Sequence, residues 1–396
     1  MEGLQGNAKH VMNRIDSNLS ISEANKKHII DLVTYLQARG AKPNTIDKYV
    51  YHYEKIINLI GHEKDILKAK RPELETALAR LNGLKLSEEE KRKVKVTIKA
   101  IYKHFLGEDL YYPKQIAWIK TSGSKNKMLP QDLLTEEDVL KLIHFAKDLR
   151  DKALIALLFD TGMRIGELSG LKVKDIDTGS SVAHVTVNGK TGMRRIPITF
   201  SVPYVTQYIN TLNNVKPNSP LWLATGTWEN TGRSIDQNGI RLMLKRLSKK
   251  AGINKRIYPH LFRHSRASIY ANKLTEQQLK VYFGWTGDSK MAATYVHLSG
   301  RDIDNAIIQA YGGKPDVAAE EVKLKVKICA RCQFDNPVDA KYCNRCGSPL
   351  DISTAVLEER TSIEIRNSLM ESIKDPKLLE EIVHQYLLEK KKGGNR

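Results

Sequence analysis

All four cysteines of the chain fall within eighteen residues, in the spacing C-x2-C-x10-C-x2-C, as Cys329, Cys332, Cys343 and Cys346. Four thiolates at this spacing can close a tetrahedron around one zinc ion, whereas disulfides are improbable in a cytosolic chain. A segment of roughly twenty residues buries too little apolar surface to fold alone, so the metal would supply its folding free energy. Four thiolates leave no coordination position open for water. The spacing therefore predicts a structural zinc ribbon over residues 326–350 and no catalytic role for that metal.

The charge of the chain points to an anionic partner. Its 396 residues include 64 Lys and Arg against 45 Asp and Glu, a net charge of +19. Residues 1–131 and residues 132–312 each carry an excess of nine basic side chains. Such a distribution suits a surface that follows a phosphate backbone. A basic protein without a nucleic-acid partner can have the same composition, so charge alone leaves both interpretations open.

The sequence carries no membrane or secretion signal. No run of about eighteen apolar residues occurs, and the first ten residues are polar. We expect a cytoplasmic protein with no membrane contact, associated with the nucleoid if its partner is DNA.

Residues 20–110 have the apolar periodicity of a helical unit. One predicted helix ends before Gly40, and a second runs from Pro43 to Gly61. Further helical patterns cover about 72–82 and 87–106, the latter opened by Ser87 with Glu90 in capping-box spacing. Residues 111–131 contain prolines, glycine and a polar run, which predict a linker.

Residues 132–312 predict a second domain with Thr135 as the N-cap of its first helix. A buried helix is expected at about 151–160, and two strands at 182–187 and 193–198 flank a hairpin tip at 188–192. Later helices are predicted at about 236–251, 260–272, 275–283 and 289–297. The expected fold class is therefore mainly α with a small β-sheet (α+β).

The last region, residues 351–396, predicts a tail of two amphipathic helices. The second begins at Asp375-Pro376, a favourable N-cap and first-turn pair. The apolar faces suit either packing on the protein's own domain or contact with a protein partner, and the sequence leaves both open.

Five short segments of the second domain carry side chains suited to one reaction. They are 161–168, 189–192, 260–263, 284–285 and 294–297. Taken singly, each has a structural explanation, such as an ion pair or a core aromatic residue. Taken together they suit the cleavage and rejoining of a phosphodiester without a metal, whose transition state spreads negative charge over non-bridging oxygens.

Arginine and histidine side chains can stabilise the negative charge of this reaction and move its protons. Arg164 and Arg263 can each offer bidentate donors to the phosphate oxygens. His260 precedes Arg263 by three residues and shares a helix face with it. This histidine can hydrogen-bond the phosphate or manage the proton of the nucleophile.

The remaining candidates are Lys190, Trp285 and Tyr295. Lys190, at the hairpin tip, can donate a proton to the leaving oxygen. Trp285 can donate from its indole N–H and buttress the nucleophile. Tyr295 is the predicted nucleophile; its unperturbed pKa of about 10 makes it weak, but a cationic pocket should favour the phenolate. Covalent attachment would conserve the bond energy, so neither ATP nor a metal is expected in catalysis.

These segments resemble the tyrosine recombinase family, which includes phage integrases and Xer-type enzymes. The family signature combines a T-G-x-R-x-x-E-L box, a hairpin Lys, H-x-x-R, G-H or G-W, and a Tyr about ten residues later. The matching catalytic positions are Arg164, Lys190, His260, Arg263, Trp285 and Tyr295, with Glu167 at the supporting acidic position. Residues 284–298 are especially similar to integrases of archaea and their mobile elements. Trp285 stands where many Xer-like members have His.

The resemblance covers about residues 20–312 and implies an organisation as well as an activity. It implies a helical, SAM-like core-binding domain at 20–110 and a catalytic domain at 132–312. It also implies a site-specific recombinase or integrase that forms a 3′-phosphotyrosyl intermediate on double-stranded DNA. Four protomers would assemble on two DNA sites as a homo-tetramer.

Two other functions stay open. A type IB-like topoisomerase shares the chemistry but acts alone, and a non-catalytic regulator would use the zinc ribbon and basic surface only to bind DNA. The ribbon and tail can pack on a neighbouring protomer, bind DNA or recruit a protein partner, and the sequence does not decide among these.

Overall fold

A computed structural model describes residues 15, 20–107, 111–121, 130–179, 182–189, 191–213, 215–224, 233–298, 311–312, 324–374, 380–381 and 383–384. The chain divides into two compact units, residues 1–127 and residues 128–396. The described part is mainly helical with two small sheets, which confirms the predicted fold class. None of its helices combines the length and apolar character that are required to cross a membrane.

The first unit is built from helices. They are α1 (Glu23–Ala38), α2 (Pro43–Ile60), α3 (Arg71–Gly83), α4 (Glu88–Leu106) and α5 (Lys114–Ala117), with a 3-10 turn at Ile66–Lys68. The hydroxyl groups of Ser22 and Ser87 accept hydrogen bonds from backbone N–H groups in the first turns of α1 and α4. The four longer helices confirm the helical predictions for this region, and their apolar faces meet in one core.

Part of the predicted linker belongs to this core. Residues 114–117 form α5, and Ile116 and Ile119 are buried among the side chains of the first unit. The two isoleucines remove apolar surface from water, which the proline and glycine signals of the segment did not reveal.

The second unit contains most of the remaining elements. Its helices are α6 (Glu136–Phe145), α7 (Leu149–Thr161), α8 (Ile165–Ser169), α9 (Val202–Asn210), α10 (Gln237–Lys250), α11 (Pro259–Ala271), α12 (Glu276–Phe283) and α13 (Met291–Leu298). There are 3-10 turns at Pro130–Asp132 and Val173–Asp175. Helix α7 lies at the centre, packed against α6, α9 and α11, and every residue from Ala153 to Thr161 is buried. The prediction of a buried helix there is confirmed.

An antiparallel sheet completes this unit, with strands β1 (Ile176–Asp177), β2 (His184–Gly189) and β3 (Gly192–Pro197) in that order. The predicted hairpin is confirmed, but its predicted strand ends are wrong. Asn188 pairs with Met193 and Gly189 with Gly192, so residues 188, 189 and 192 belong to the ladder and not to the predicted tip. Glycine suits position 189 because a Cβ there would collide with Oε1 of Glu167.

The cysteine-containing segment forms β4 (Lys327–Ile328) and β5 (Asp335–Asn336), an antiparallel pair. Helix α14 (Ile352–Lys374) follows and confirms the first predicted tail helix. The start of the second, at Asp375-Pro376, lies outside the described residues; residues 380–381 and 383–384 are helical.

Candidate active site and metal centre

The turn after α12 gathers the two arginines that the sequence singled out. The carbonyl of Phe283 accepts a hydrogen bond from Nη2 of Arg263 at 2.6 Å. The next carbonyl, of Gly284, accepts from Nη2 of Arg164 at 3.2 Å and from the hydroxyl of Thr191 at 3.2 Å. Consecutive carbonyls of one turn therefore fix two guanidinium groups that lie almost a hundred residues apart in the sequence.

Gly284 is required for this arrangement. Its φ of +59° lies in the left-handed region, where glycine is favoured. A Cβ at this position would also lie 2.9 Å from Nη1 of Arg194 and 3.1 Å from the hydroxyl oxygen of Thr191. Arg164, Arg194 and Arg263 together form an arginine cluster. The backbone at Gly284 can approach this cluster so closely only because no side chain intervenes.

Arg263 is held at a second backbone point. It is buried on α11, and its Nη1 donates to the carbonyl of Gly162, the residue that ends α7. Its guanidinium lies 5.1 Å from the ring centroid of Phe283 and 5.5 Å from that of Trp285, distances typical of cation–π contacts. Burial and the neighbouring charge of Arg164 lower the pKa of Arg263. A bound anion would relieve this electrostatic cost.

Glu167 lies inside the arginine cluster, where the resemblance placed the supporting acid. Its Oε1 accepts from Nη1 of Arg164 and from Nη1 of Arg194, both at 3.0 Å, and its Oε2 accepts from Nη2 of Arg194 at 2.8 Å. Burial alone would raise the pKa of this carboxyl group. The hydrogen bonds and charges of the two arginines outweigh that effect and lower the pKa to about 2.

Arg194 is a site residue that sequence reasoning missed. It lies on β3, where its Nε also donates to the carbonyl of Tyr282. Because successive side chains of a strand point to opposite faces, the sequence indicates that Arg194 and Arg195 lie on different faces of the strand, but not which of them faces the site. Arg195 faces an exposed partner, Asp177, so Arg194 must face the other way.

Tyr295 is buried on α13 beside the arginine cluster. Its ring lies parallel to that of Trp285, with an interplanar angle of 3° and 5.5 Å between the centroids. Burial raises the pKa of Tyr295 to about 12, and the positive charge of Arg263 opposes this only in part. The expectation that the cationic pocket favours the phenolate is therefore wrong for this arrangement, because desolvation of the phenolate costs more than Arg263 returns.

Two histidines of α11 lie next to the tyrosine. Nδ1 of His264, which sequence reasoning missed, forms a hydrogen bond with the Tyr295 hydroxyl. The predicted His260 is exposed, and its ring stacks on that of His264 with the centroids 5.5 Å apart. Desolvation and the charges of Arg263 and Arg164 lower the pKa of His260. The four-residue spacing of the histidines could have revealed their common helix face.

Lys190 lies outside the described residues, but its neighbours Gly189 and Thr191 contact the cluster. The Thr191 hydroxyl bonds to the carbonyl of Gly284, and a Cβ on Gly189 would collide with Oε1 of Glu167. The hairpin end therefore adjoins the arginine cluster.

The four cysteines converge at a separate place in the second unit. Their sulfur atoms all lie within 4.8 Å of one another. Sγ of Cys329 is 3.6 Å from that of Cys346, and Sγ of Cys332 is 3.6 Å from that of Cys343. Zn–S bonds of about 2.3 Å in a tetrahedron place the sulfurs about 3.8 Å apart. The donor set and its dimensions therefore fit one zinc ion.

The cysteine segment is attached to the helices of the second unit. Asp339 accepts a hydrogen bond from the hydroxyl of Tyr204 on α9 at 2.8 Å and pairs with Lys152 on α7. Val326 and Val338 pack against the main core of the unit. This contact combines apolar packing with a carboxylate that serves two donors.

Comparison with known proteins shows the family of the chain. A model of the phage integrase family matches residues 132–301. Tyrosine recombinase XerA of Pyrococcus horikoshii is 30% identical over 301 residues, which cover 75% of this chain and 88% of that protein.

Two solved structures share the fold. One is a lambda integrase dimer bound to a COC′ core site, with a TM-score of 0.56 and 18% identity, covering 81% of this chain and 85% of that one. The other is a lambda integrase tetramer bound to a Holliday junction, with a TM-score of 0.54 and 16% identity, covering 74% and 82%.

Proposed function

We propose a function from the premise that the chain belongs to the phage integrase family of tyrosine recombinases. It is a site-specific DNA recombinase that cuts and rejoins DNA through a 3′-phosphotyrosyl intermediate. The observation that carries this proposal is the convergence on residues 283–285, whose backbone carbonyls hold Arg263 and Arg164 and whose tryptophan stacks on Tyr295. A cationic cluster is thereby placed beside a buried phenol, and these are the groups that phosphodiester transesterification by a tyrosine requires.

Arg164 and Arg263 are proposed to hold the scissile phosphate. A guanidinium has five N–H donors in a fixed plane, and the two carbonyl contacts of Arg263 use only part of this set. Its remaining donors, together with those of Arg164, can bind the non-bridging oxygens. Glu167 and Arg194 act through Arg164 by fixing its position. This preorganised positive charge stabilises the charge that develops in the transition state.

Tyr295 is proposed as the nucleophile. Its oxygen forms a bond to phosphorus while the bond to the DNA 5′-oxygen breaks, and the leaving 5′-hydroxyl receives a proton from Lys190. The Tyr295 proton must leave during attack, because burial keeps the phenol protonated beforehand. The hydroxyl proton then leaves its hydrogen bond to His264, and neutral His260 is the proposed acceptor, since its lowered pKa keeps it unprotonated at neutral pH. The reverse reaction rejoins DNA without ATP or a catalytic metal.

The cysteine cluster is proposed to hold one structural zinc ion. Two similar turns support this role: the N–H of Gln333 bonds to the carbonyl of Cys329, and that of Gly347 bonds to the carbonyl of Cys343, both at 2.9 Å. Residues 333 and 347 both have positive φ. The cysteine pairs thus lie in matching knuckles, and zinc would supply the bonds that hold these together.

The first unit, as a core-binding domain, is proposed to bind the DNA backbone. Lys99 and Lys103 lie over the ring of Tyr112, with Nζ 4.1 Å and 5.5 Å from its centroid, and Arg39 lies over Tyr35. Cations that are combined with partly exposed aromatic rings suit phosphate and sugar contacts.

Assembly as a homo-tetramer on paired DNA sites is part of the proposal. The lambda integrase tetramer on a Holliday junction supports it. Helix α14 exposes apolar side chains, including Leu357 and Leu369, and is a candidate surface for a protein partner. The enzyme would work in the cytoplasm, where it would associate with the nucleoid.

The test is covalent capture of DNA. Nicked duplexes from the genomic neighbourhood of the gene would be incubated with the protein without magnesium and separated on a denaturing gel. We expect a protein–DNA adduct that Tyr295→Phe abolishes while DNA binding is retained. Tyr342→Phe, which removes a hydroxyl elsewhere in the second unit, should leave the adduct unchanged.

Other outcomes point to the other functions. Tight binding without adduct on any duplex would indicate a non-catalytic regulator. An adduct with relaxation of supercoils by a monomer, and no strand exchange between two duplexes, would indicate a topoisomerase.

A further inference from the structure

The hydroxyl of Tyr295 is held by a residue outside the family motif. Nδ1 of His264, one residue after Arg263 on α11, forms a hydrogen bond with it. Helices α11 and α13 pack together here, so the contact joins the helix of the phosphate-binding arginine to the helix of the tyrosine.

The tyrosine ring is restrained on two sides. The His264 ring lies 5.8 Å from that of Tyr295, while the Trp285 ring stacks on the phenol at 5.5 Å. The tryptophan fixes the plane of the phenol ring. The histidine fixes the position of its oxygen within that plane, because a hydrogen bond is directional and stacking is not.

Both partners of this hydrogen bond are neutral near pH 7. Burial, followed by the neighbouring His260 and Arg263, lowers the pKa of His264 to about 4, and burial raises the pKa of Tyr295 to about 12. An imidazolium–phenolate pair is therefore strongly disfavoured in this arrangement. The phenol donates, the unprotonated Nδ1 accepts, and the imidazole proton lies on Nε2.

We propose that His264 is a positioning residue for the nucleophile, whose Nδ1 atom accepts the hydrogen bond of the Tyr295 hydroxyl and keeps that oxygen beside Arg263. The proposal rests on the assignment of Tyr295 as the nucleophile in the proposed function. His264 does not take the proton in the reaction; it limits the positions from which the phenol oxygen can attack.

Two substitutions at this position separate the hydrogen bond from the shape of the ring. His264→Phe keeps an aromatic ring and removes the acceptor, whereas His264→Asn places an amide oxygen close to the position of Nδ1. Loss of a buried hydrogen bond that leaves its partner unpaired corresponds to about a ten- to hundredfold effect.

In single-turnover cleavage of nicked DNA we expect His264→Phe to form the phosphotyrosyl adduct about ten- to a hundredfold more slowly, at unchanged DNA affinity. His264→Asn should recover most of the rate, and the pH profile of His264→Phe should run parallel to that of the wild type. The control His144→Phe replaces a histidine of α6 and should cleave normally. A normal rate for His264→Phe, an equally slow His264→Asn, or loss of one limb of the pH profile would overturn the proposal.

A second measurement needs no cleavage. In the DNA-free protein, the nitrogen NMR resonance of His264 Nδ1 should be that of an unprotonated nitrogen accepting a hydrogen bond, and Tyr295→Phe should shift it. An identical resonance in the two proteins would overturn the proposal. If Tyr295→Phe shifts the resonance but the wild-type protein forms no DNA adduct, the hydrogen bond is confirmed and Tyr295 is rejected as the nucleophile.

Discussion

The active site and the cysteine cluster belong to one unit and gather like charges in opposite ways. Arg164, Arg194 and Arg263 are fixed by backbone carbonyls, and Glu167 lies among them as a permanent counter-charge. The four cysteine sulfurs face one another within 4.8 Å. The arginine cluster can therefore form without a bound anion, whereas we expect the sulfur cluster to depend on a metal ion. The two sites are thus expected to obtain their folding free energy from different sources.

The largest expected effect is the loss of the metal centre. Cys343→Ser should abolish tight zinc binding, which is worth about 10–16 kcal/mol in small zinc domains, and should unfold residues 327–350. Mass spectrometry of the native protein would measure the metal content, and hydrogen exchange would locate the unfolding. Asn344→Ser, which changes an exposed neighbour, should retain one zinc ion. Full occupancy in Cys343→Ser would mean that the segment is held by packing, like the active site.

The next effect concerns catalysis and should not involve the metal centre. Arg263→Ala should slow adduct formation by about a thousandfold, or about 4 kcal/mol, because it removes charge stabilisation in the transition state. Zinc content should not change. Arg195→Ala removes an exposed arginine that pairs with Asp177 and is the matched control. Thermal melting of both variants would show whether they remain folded, and near-normal cleavage by a folded Arg263→Ala would remove this arginine from the site.

A third test uses the counter-charge inside the arginine cluster. Because the pKa of Glu167 is lowered to about 2 in the folded protein, its ionised form contributes stability that is fully present above its unfolded pKa of about 4.3 and is lost as the pH falls toward 2. Glu167→Gln should lower the free energy of unfolding by about 3 kcal/mol at pH 7.

The difference in unfolding free energy between the Glu167→Gln variant and the wild type should become smaller below about pH 4.5. Urea unfolding at several pH values measures this free energy for both proteins. If the two unfolding free energies differ by the same amount at every pH, the negative charge of Glu167 does not stabilise the arginine cluster.

The two sites also differ in how well the sequence predicted them. The spacing of four cysteines within eighteen residues already specifies a cluster, because the short segment brings its own ligands together. The order of the active-site motifs identified Arg164, Arg263 and Tyr295, which the structure gathers around residues 283–285. Their catalytic roles stay predictions.

Sequence reasoning missed residues whose contribution depends on which way their side chains point in the folded protein. Arg194 joins the site because of the face of β3 on which it lies, and His264 because α13 packs against α11 at that point. The pKa of Tyr295 was predicted in the wrong direction because the burial of its hydroxyl cannot be read from the sequence. Residue type predicts what a side chain can do, while tertiary packing decides what surrounds it.

The smallest effect tests whether the two sites are mechanically separate. Asp339 joins the cysteine segment to Tyr204 and Lys152. Asp339→Ala would leave the Tyr204 hydroxyl without this acceptor and should cost about 1–2 kcal/mol. Asp339→Asn keeps an acceptor for the hydroxyl and loses only the ion pair, so it should cost less. Limited proteolysis should cut near residue 324 faster in Asp339→Ala, with zinc content and DNA cleavage unchanged. If cleavage instead fell tenfold or more, the metal-held segment would be positioning the active site, and the two regions would form one functional unit.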